Sequence, residues 1–246
     1  MTLDALQALE SRLAADGAHY REVVVVPEEA IAASLGPGLS VTFLDRDVIL
    51  ARAARSDARP HLAHVRSGHY ATQLAVTIPG QGTVTVTRGW ASVDATVDDH
   101  TVRFIATHLE SFALPIQVAQ AAELVSGPAN TPLPVILAGD LNTGPNAIPG
   151  PAGSAMRATY NTLTLHDGFV DSWSVTHPGV PGYTDSLYTE DPFTLATLSE
   201  RIDLVLVRGD AVPVHDRLVG RTMVNGLFPS DHLGVVSAIR LPSDDD

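Results

Sequence analysis

Four short fragments place charged, amide or imidazole side chains where an apolar run begins or ends. Val135-Ile136-Leu137-Ala138 runs into Gly139-Asp140-Leu141-Asn142, and Val102-Arg103-Phe104-Ile105-Ala106-Thr107 runs into His108. Arg201-Ile202-Asp203 opens another apolar run, and Ser230-Asp231-His232 stands just before the last one. A buried strand that ends in a carboxylate costs free energy unless that charge is paired, so such positions call for a partner or a ligand. In open α/β folds the carboxyl edge of the sheet is where ligands bind, and Asp140, Asn142 and His108 are delivered there. Carboxylates beside an amide and imidazoles suit a hard divalent cation, Mg2+ or Mn2+. Taken singly, a Gly-Asp pair after a strand is also ordinary turn chemistry, and a lone histidine is also an ordinary structural residue.

The elements that must carry these groups can be read from periodicity. Residues 3–16 place Leu3, Leu6, Leu9 and Leu13 at helical spacing, with Gly17 as the stop. Strand-like runs follow at Val23–Val26, Val41–Phe43, Val48–Ala51, Leu74–Ile78, Val84–Val86, Trp90–Val97 and Val102–His108. Residues 97–101 read as a hairpin turn. A helix is expected over 116–125, between Pro115 and Gly127-Pro128, then a strand over Leu133–Ala138 that is buried on both faces. Strand, helix and strand make a βαβ unit. Residues 143–200 are poor in pattern, with one helix around Met156–Leu163, and order returns at Ile202–Val207 and Leu233–Ile239. No repeat or linker divides the chain, so residues 1–246 are read as one α/β domain with a frayed tail at 242–246.

Composition narrows the function classes. The 246 residues are 45% hydrophobic and 17% charged, enough for a substantial core and too apolar for disorder. There is no cysteine, which excludes disulfides, thiolate nucleophiles and cysteine-ligated zinc. No apolar run approaches the roughly 20 residues of a membrane span, and Met1-Thr2-Leu3-Asp4 is not the start of a signal peptide. Compartment therefore stays open: cytoplasmic as written, secreted if an upstream segment was lost. The formal net charge is −13, with 15 basic residues, all arginine, against 28 acidic ones. That balance disfavours phosphate backbones and anionic membranes as partners, although a local arginine patch keeps nucleic acid possible.

Thr107-His108-Leu109-Glu110, Gly139-Asp140-Leu141-Asn142, Arg201-Ile202-Asp203 and Ser230-Asp231-His232 together, in this order and spacing, resemble the endonuclease/exonuclease/phosphatase superfamily. The resemblance covers roughly residues 4–240. Residues 168–173 (GFVDSW) followed by 199–203 (SERID) also look like uncharacterised bacterial members. It implies a deoxyribonuclease I-like fold, a four-layer sandwich of two packed mixed β-sheets flanked by helices. It also implies a metal-dependent phosphoesterase acting on a phosphodiester or phosphomonoester. By the same resemblance, His232 acts on the attacking water or offsets charge on phosphorus, with Asp231 holding its imidazole. His108 lies across the phosphate, oriented by Asp45 (with Asp47 as rival) and raised in pKa by it. Asp140 and Asn142 bind phosphate, water or metal, Asp203 orients the cluster, and Asp140, Asn142 and Asp231 are the implied ligands of a weakly held Mg2+ or Mn2+. Such a set fits phosphoryl transfer, which needs positioning and charge compensation more than covalent chemistry.

The superfamily ordinarily opens with a strand ending in Asn and a second ending in Gln-Glu, whose carboxylate is the principal metal ligand. Neither is present in this sequence, so two strands are expected to be missing, by truncation or naturally. Exposed sheet edges would then favour self-association. The competing expectation is an impaired or inactive member that serves as a binding module. Glu10 reads as a surface residue of the first helix, and His61, His64 and His69 read as a solvated loop rather than a zinc site. His166 and His215 read as turn residues, and Trp90 and Trp173 as core or groove wall.

Overall fold

The computed structural model describes residues 4–36, 39–53, 59–78, 82–145, 157–185 and 195–241. Helix α1 (Ala5–Ala15) starts where Asp4 accepts hydrogen bonds from the amides of Leu6 and Gln7. Two long antiparallel strands follow, β1 (Tyr20–Gly36) and β2 (Leu39–Arg52), with register shifts at three places along the ribbon. Strands β3 (His61–His69), β4 (Leu74–Ile78), β5 (Gly82–Val86), β6 (Gly89–Val97) and β7 (His100–Thr107) come next. The chain then runs through α2 (Leu114–Ser126), β8 (Val135–Asp140), β9 (Val170–Asp171) and the short α3 (Ser172–Thr176). It ends with β10 (Asp203–Arg208), β11 (Val212–Val219) and β12 (Gly234–Arg240).

Six of these strands form one mixed sheet in the order β3-β6-β7-β8-β10-β9; β1–β2, β4–β5 and β11–β12 are two-stranded ribbons. The expected βαβ unit is present, since β7 and β8 pair in parallel across α2. The hairpin between β6 and β7 turns through Asp98 and Asp99, both at positive φ, as a two-residue turn matched to strand twist requires. The fold is the α/β, deoxyribonuclease I-like architecture; among the described residues the layer facing the main sheet is built from ribbons rather than one continuous second sheet.

Strand alternation divides the core in two. Ile105, Val135, Leu137, Leu204 and Leu206 face α2 and bury against Ala121 and Leu124. The intervening residues face the other way, where Ala91, Val93, Phe104 and Ala106 pack against Val26 and Ile49 of the β1–β2 ribbon. By the same count His108, Asp140 and Asp203 belong to the ribbon face.

Several sequence expectations are corrected here. Residues 61–69 are the edge strand β3, not a loop. A bulge between Ala63 and Arg66 gives His64 a positive φ and turns its ring to Asp94, while His69 bonds the carbonyl of Pro27, so the three histidines do not converge. The expected helix near residue 156 is described from 157, and it runs into a π-helical turn, Thr162–His166, that ends at His166. His215 lies in β11, a strand whose Pro213 and polar residues hide its alternation. The expected frayed tail, 242–246, lies outside the described residues. No described helix is long and apolar enough to cross a membrane.

Candidate active site

Asp140 closes β8 and Asp203 opens β10; they are direct partners in the antiparallel ladder, so their carboxylates emerge side by side. On the other side of β8, Gly139 lets the strand press close to β7, because a Cβ there would overlap the carbonyl oxygen of Thr107. After Asp140 the chain turns sharply. The Asn142 amide donates to Asp140 Oδ1 at 2.9 Å, with Asn142 at φ 49°, a conformation Asn tolerates better than most side chains. The Asn142 side chain donates to the carbonyl of Leu109 at 2.9 Å, tying the Asp140 loop to the His108 loop. Gln117 on α2 braces both loops, donating to the carbonyls of Glu110 and Asn142.

His232 reaches this pair from the segment before β12. Its Nδ1 lies 2.8 Å from Asp203 Oδ2, and its Nε2 lies 3.7 Å from Asp185 Oδ1. The Asp203 hydrogen bond is the main reason its pKa is pushed up to about 9, so His232 is an imidazolium at neutral pH. Asp140 moves the opposite way from an ordinary paired carboxylate: burial first, then the charge of Asp203, pushes it up to about 7. His108 stands on the other side, its Nε2 3.4 Å from Asp140 Oδ2. Burial, Arg88 and His232 push His108 down to about 3, so this ring is neutral. One cationic and one neutral imidazole therefore flank one carboxyl group, the kind of divergence that separates acid, base and charge-compensating roles.

Three expectations change on this geometry. Asp231 is exposed, with Ser230 Oγ at 3.4 Å, and Asp203 rather than Asp231 holds the His232 ring. The reason is local: Asp231 is the immediate chain neighbour of His232, whereas Asp203 faces the ring from the edge of the sheet. For the same reason, among the described residues the acidic groups converging with His232 are Asp140, Asp203 and Asp185, not Asp231. Asp45 lies 3.8 Å from His108 Nδ1, but Arg88 Nη1 takes that nitrogen at 2.6 Å, and burial followed by the Arg88 charge lowers His108 rather than raising it. Asp47 is half-buried next to Glu28 and makes no contact with His108 among those described. Sequence reasoning also missed Arg88, Glu28 and Asp185, although Glu28 follows the Val23–Val26 run and Arg88 the Val84–Val86 run by two residues, the offset at which Asp140 follows Ala138.

The GFVDSW and SERID segments meet in a buried ion pair, Asp171 with Arg201 at 2.8 Å, capped by Ser174 and Tyr160. Their shared work is to fix the start of β10 and so Asp203; the amides of Ile202 and Asp203 both donate to Thr184 Oγ1. Glu10 sits in α1, and Trp173 is buried with its indole N–H on the carbonyl of Val180. An apolar cavity of about 710 Å3, lined by Val23, Ile49, Val93, Phe104 and Ile136, lies under the β1–β2 ribbon. A smaller pocket of about 200 Å3 lies beside the two aspartates, lined by Ala138, Asp140, Asp203, Val205 and Val235.

The donor set fits a hard divalent cation. The Asp140 and Asp203 carboxylates lie within 4.8 Å of one another, and a positive ion would relieve their mutual repulsion, while His232, protonated and held by Asp203, lies beside them as a second positive charge.

The fold is similar to that of several solved structures. The endonuclease/exonuclease/phosphatase from Beutenbergia cavernae DSM 12333 superposes with a TM-score of 0.63 at 22% identity, over 97% of this chain and 57% of that one. D. rerio TDP2 complexed with a single-strand DNA product gives 0.57 at 18% identity, over 95% and 90% of the two chains. A functionally unknown conserved protein from Enterococcus faecalis V583 gives 0.59 at 15% identity, over 96% and 90%. No curated protein sequence matches the chain. The sequence model of one family matches residues 35–232, and the chain belongs to that family, the Endonuclease/Exonuclease/phosphatase family.

Proposed function

We propose that this protein is a divalent-metal-dependent phosphoesterase that hydrolyses a phosphodiester or phosphomonoester by in-line attack of water. The observation that carries the reading is the convergence of His232, Asp203, Asp140 and His108 at one edge of the main sheet. His232, held by Asp203, offsets the negative charge that grows on the phosphoryl oxygens. His108 offers a hydrogen bond to a phosphoryl or leaving oxygen from its Nε2 side, which faces the cleft. Asp140, between His108 and Asp203 at the sheet edge, is placed to orient the attacking water. Asp140, Asp203 and Asn142 are the residues that would hold Mg2+ or Mn2+, and a bound ion supplies Lewis-acid polarisation of the phosphoryl group.

One similar structure holds a single-strand DNA product, which makes nucleic acid a substrate to test. The net charge of −13 argues against it and toward a small phosphate ester. The test is release of nitrophenol from bis-(4-nitrophenyl) phosphate with Mg2+ or Mn2+. The reading predicts metal-dependent release that Asp140→Asn abolishes. No release from the wild type under either metal supports the binding-module alternative, and release that survives Asp140→Asn places the chemistry elsewhere.

A further inference from the structure

Arg88 lies between β5 and β6, and its backbone is clamped: its amide donates to Gln73 Oε1 at 2.8 Å, and its carbonyl accepts from Gln73 Nε2 at 2.8 Å and from the Tyr70 amide at 3.1 Å. Its side chain is only 9% exposed. The guanidinium points into a pocket built by three elements. Nη1 lies 2.6 Å from His108 Nδ1, 3.4 Å from Asp45 Oδ2 on β2 and 3.5 Å from Glu28 Oε2 on β1. Glu28 is itself fixed, accepting the Gly89 amide at 2.7 Å, and Asp47 sits behind it. The arrangement has the three ligand types of a cation site, Glu28, Asp45 and His108, with the arginine occupying the place of the cation.

We propose that Arg88 is a positioning residue that fixes His108 in the tautomer with its proton on Nε2, facing Asp140 and the cleft. The inference rests on reading that cleft as the hydrolytic site. A guanidinium has five donors and no acceptor, so the 2.6 Å contact requires Nδ1 to be the acceptor. A neutral imidazole then carries its hydrogen on Nε2. The alternative, Nδ1–H donated to Asp45, would oppose Nδ1–H to an arginine N–H. It would also turn the Nε2 lone pair toward the Asp140 carboxylate, leaving nothing to donate to a phosphate. Asp45 and Glu28 act through Arg88: they hold the guanidinium, and the guanidinium sets the imidazole. Burial first, then the charge of neighbouring carboxylates, pushes both Glu28 and Asp47 up, which reduces the negative charge packed around the guanidinium.

The first test needs no variant at Arg88. The full chain labelled with 15N-histidine is examined by long-range 1H–15N correlation at pH 7.5, with His108 assigned by loss of its signals in His108→Gln. The expected pattern is a protonated Nε2 and a bare Nδ1; a protonated Nδ1 or an imidazolium overturns the proposal. Because no turnover is measured, this result stands whether or not the protein proves to be a phosphoesterase. The second test is a double-mutant cycle on bis-(4-nitrophenyl) phosphate. Arg88→Met should lower kcat by about 10²-fold or more, the range lost with a general acid–base group, with little change in KM. In a His108→Ala background the same change should cost less than about 3-fold, because Arg88 acts through His108. Full additivity, or a loss confined to KM, would mean that Arg88 serves the substrate or the fold directly. Arg88→Lys, which keeps a cationic donor, should restore part of kcat and part of the Nε2–H signal.

Discussion

Replacing Asp203 by Asn tests the electrostatic core of the site. His232 is held at about 9, against an ordinary 6.5, chiefly by its hydrogen bond to Asp203 and by that carboxylate's charge. At about 1.4 kcal/mol per pH unit, this interval corresponds to on the order of 3 kcal/mol. The ring is 29% exposed, and solvent screening brings the share visible in unfolding to about 2 kcal/mol. The folded pKa is raised, so this stability is complete below pH 6.5, declines between 6.5 and about 9, and is gone above that. Urea unfolding in metal-free buffer should therefore show wild type more stable than Asp203→Asn at pH 6, with a gap that closes by pH 9.5. Asp140 titrates in the same window and is itself raised by the Asp203 charge, so its relief in Asp203→Asn adds to the closing of the gap above pH 7. Following the His232 ring by NMR in parallel should show its titration fall toward 6.5 in Asp203→Asn and stay near 9 in Asp231→Asn. A gap independent of pH, or a fall caused by Asp231→Asn instead, refutes the reasoning.

His108→Ala and His232→Ala should each lower kcat by at least about 10²-fold, and the double variant should cost much less than the product, while His64→Ala and His166→Ala stay nearly silent in the same assay. Arg201→Met leaves Asp171 buried without its partner, both side chains being 3% exposed in the wild type, and should cost about 3–5 kcal/mol in urea unfolding. Calorimetric titration with Mg2+ at neutral pH should show no tight site, because the converging acidic ligands are few; a sub-micromolar Kd would require a carboxylate beyond Asp140 and Asp203.

The parts of the fold legible in the sequence are those where a single rule governs. The β7–α2–β8 unit follows from continuous apolar runs around a Pro-started helix, and the 97–101 turn follows from paired acidic residues. Asp140, Asn142 and His108 were visible because each ends such a run. Asp203 was visible too, but its role was not: which aspartate holds His232 depends on the β8–β10 register, which places Asp203 opposite Asp140 and is not encoded locally. Arg88 and Glu28 could not be picked out, since an arginine between two strands and a glutamate after Pro27 look like surface residues until the ribbon folds over the sheet. Strand β3 was hidden for a related reason. An edge strand with one neighbour and a bulge at His64 needs few apolar residues, and its histidines suggested a loop.

The most direct measurement is the anomalous signal of Mn2+ in crystals soaked with the ion and inorganic phosphate. The account predicts one Mn2+ peak against Asp140 and Asp203, with phosphate between the His232 and His108 rings. Manganese bound instead at Glu28 and Asp45 with Arg88 displaced, or phosphate away from both histidines, would contradict it.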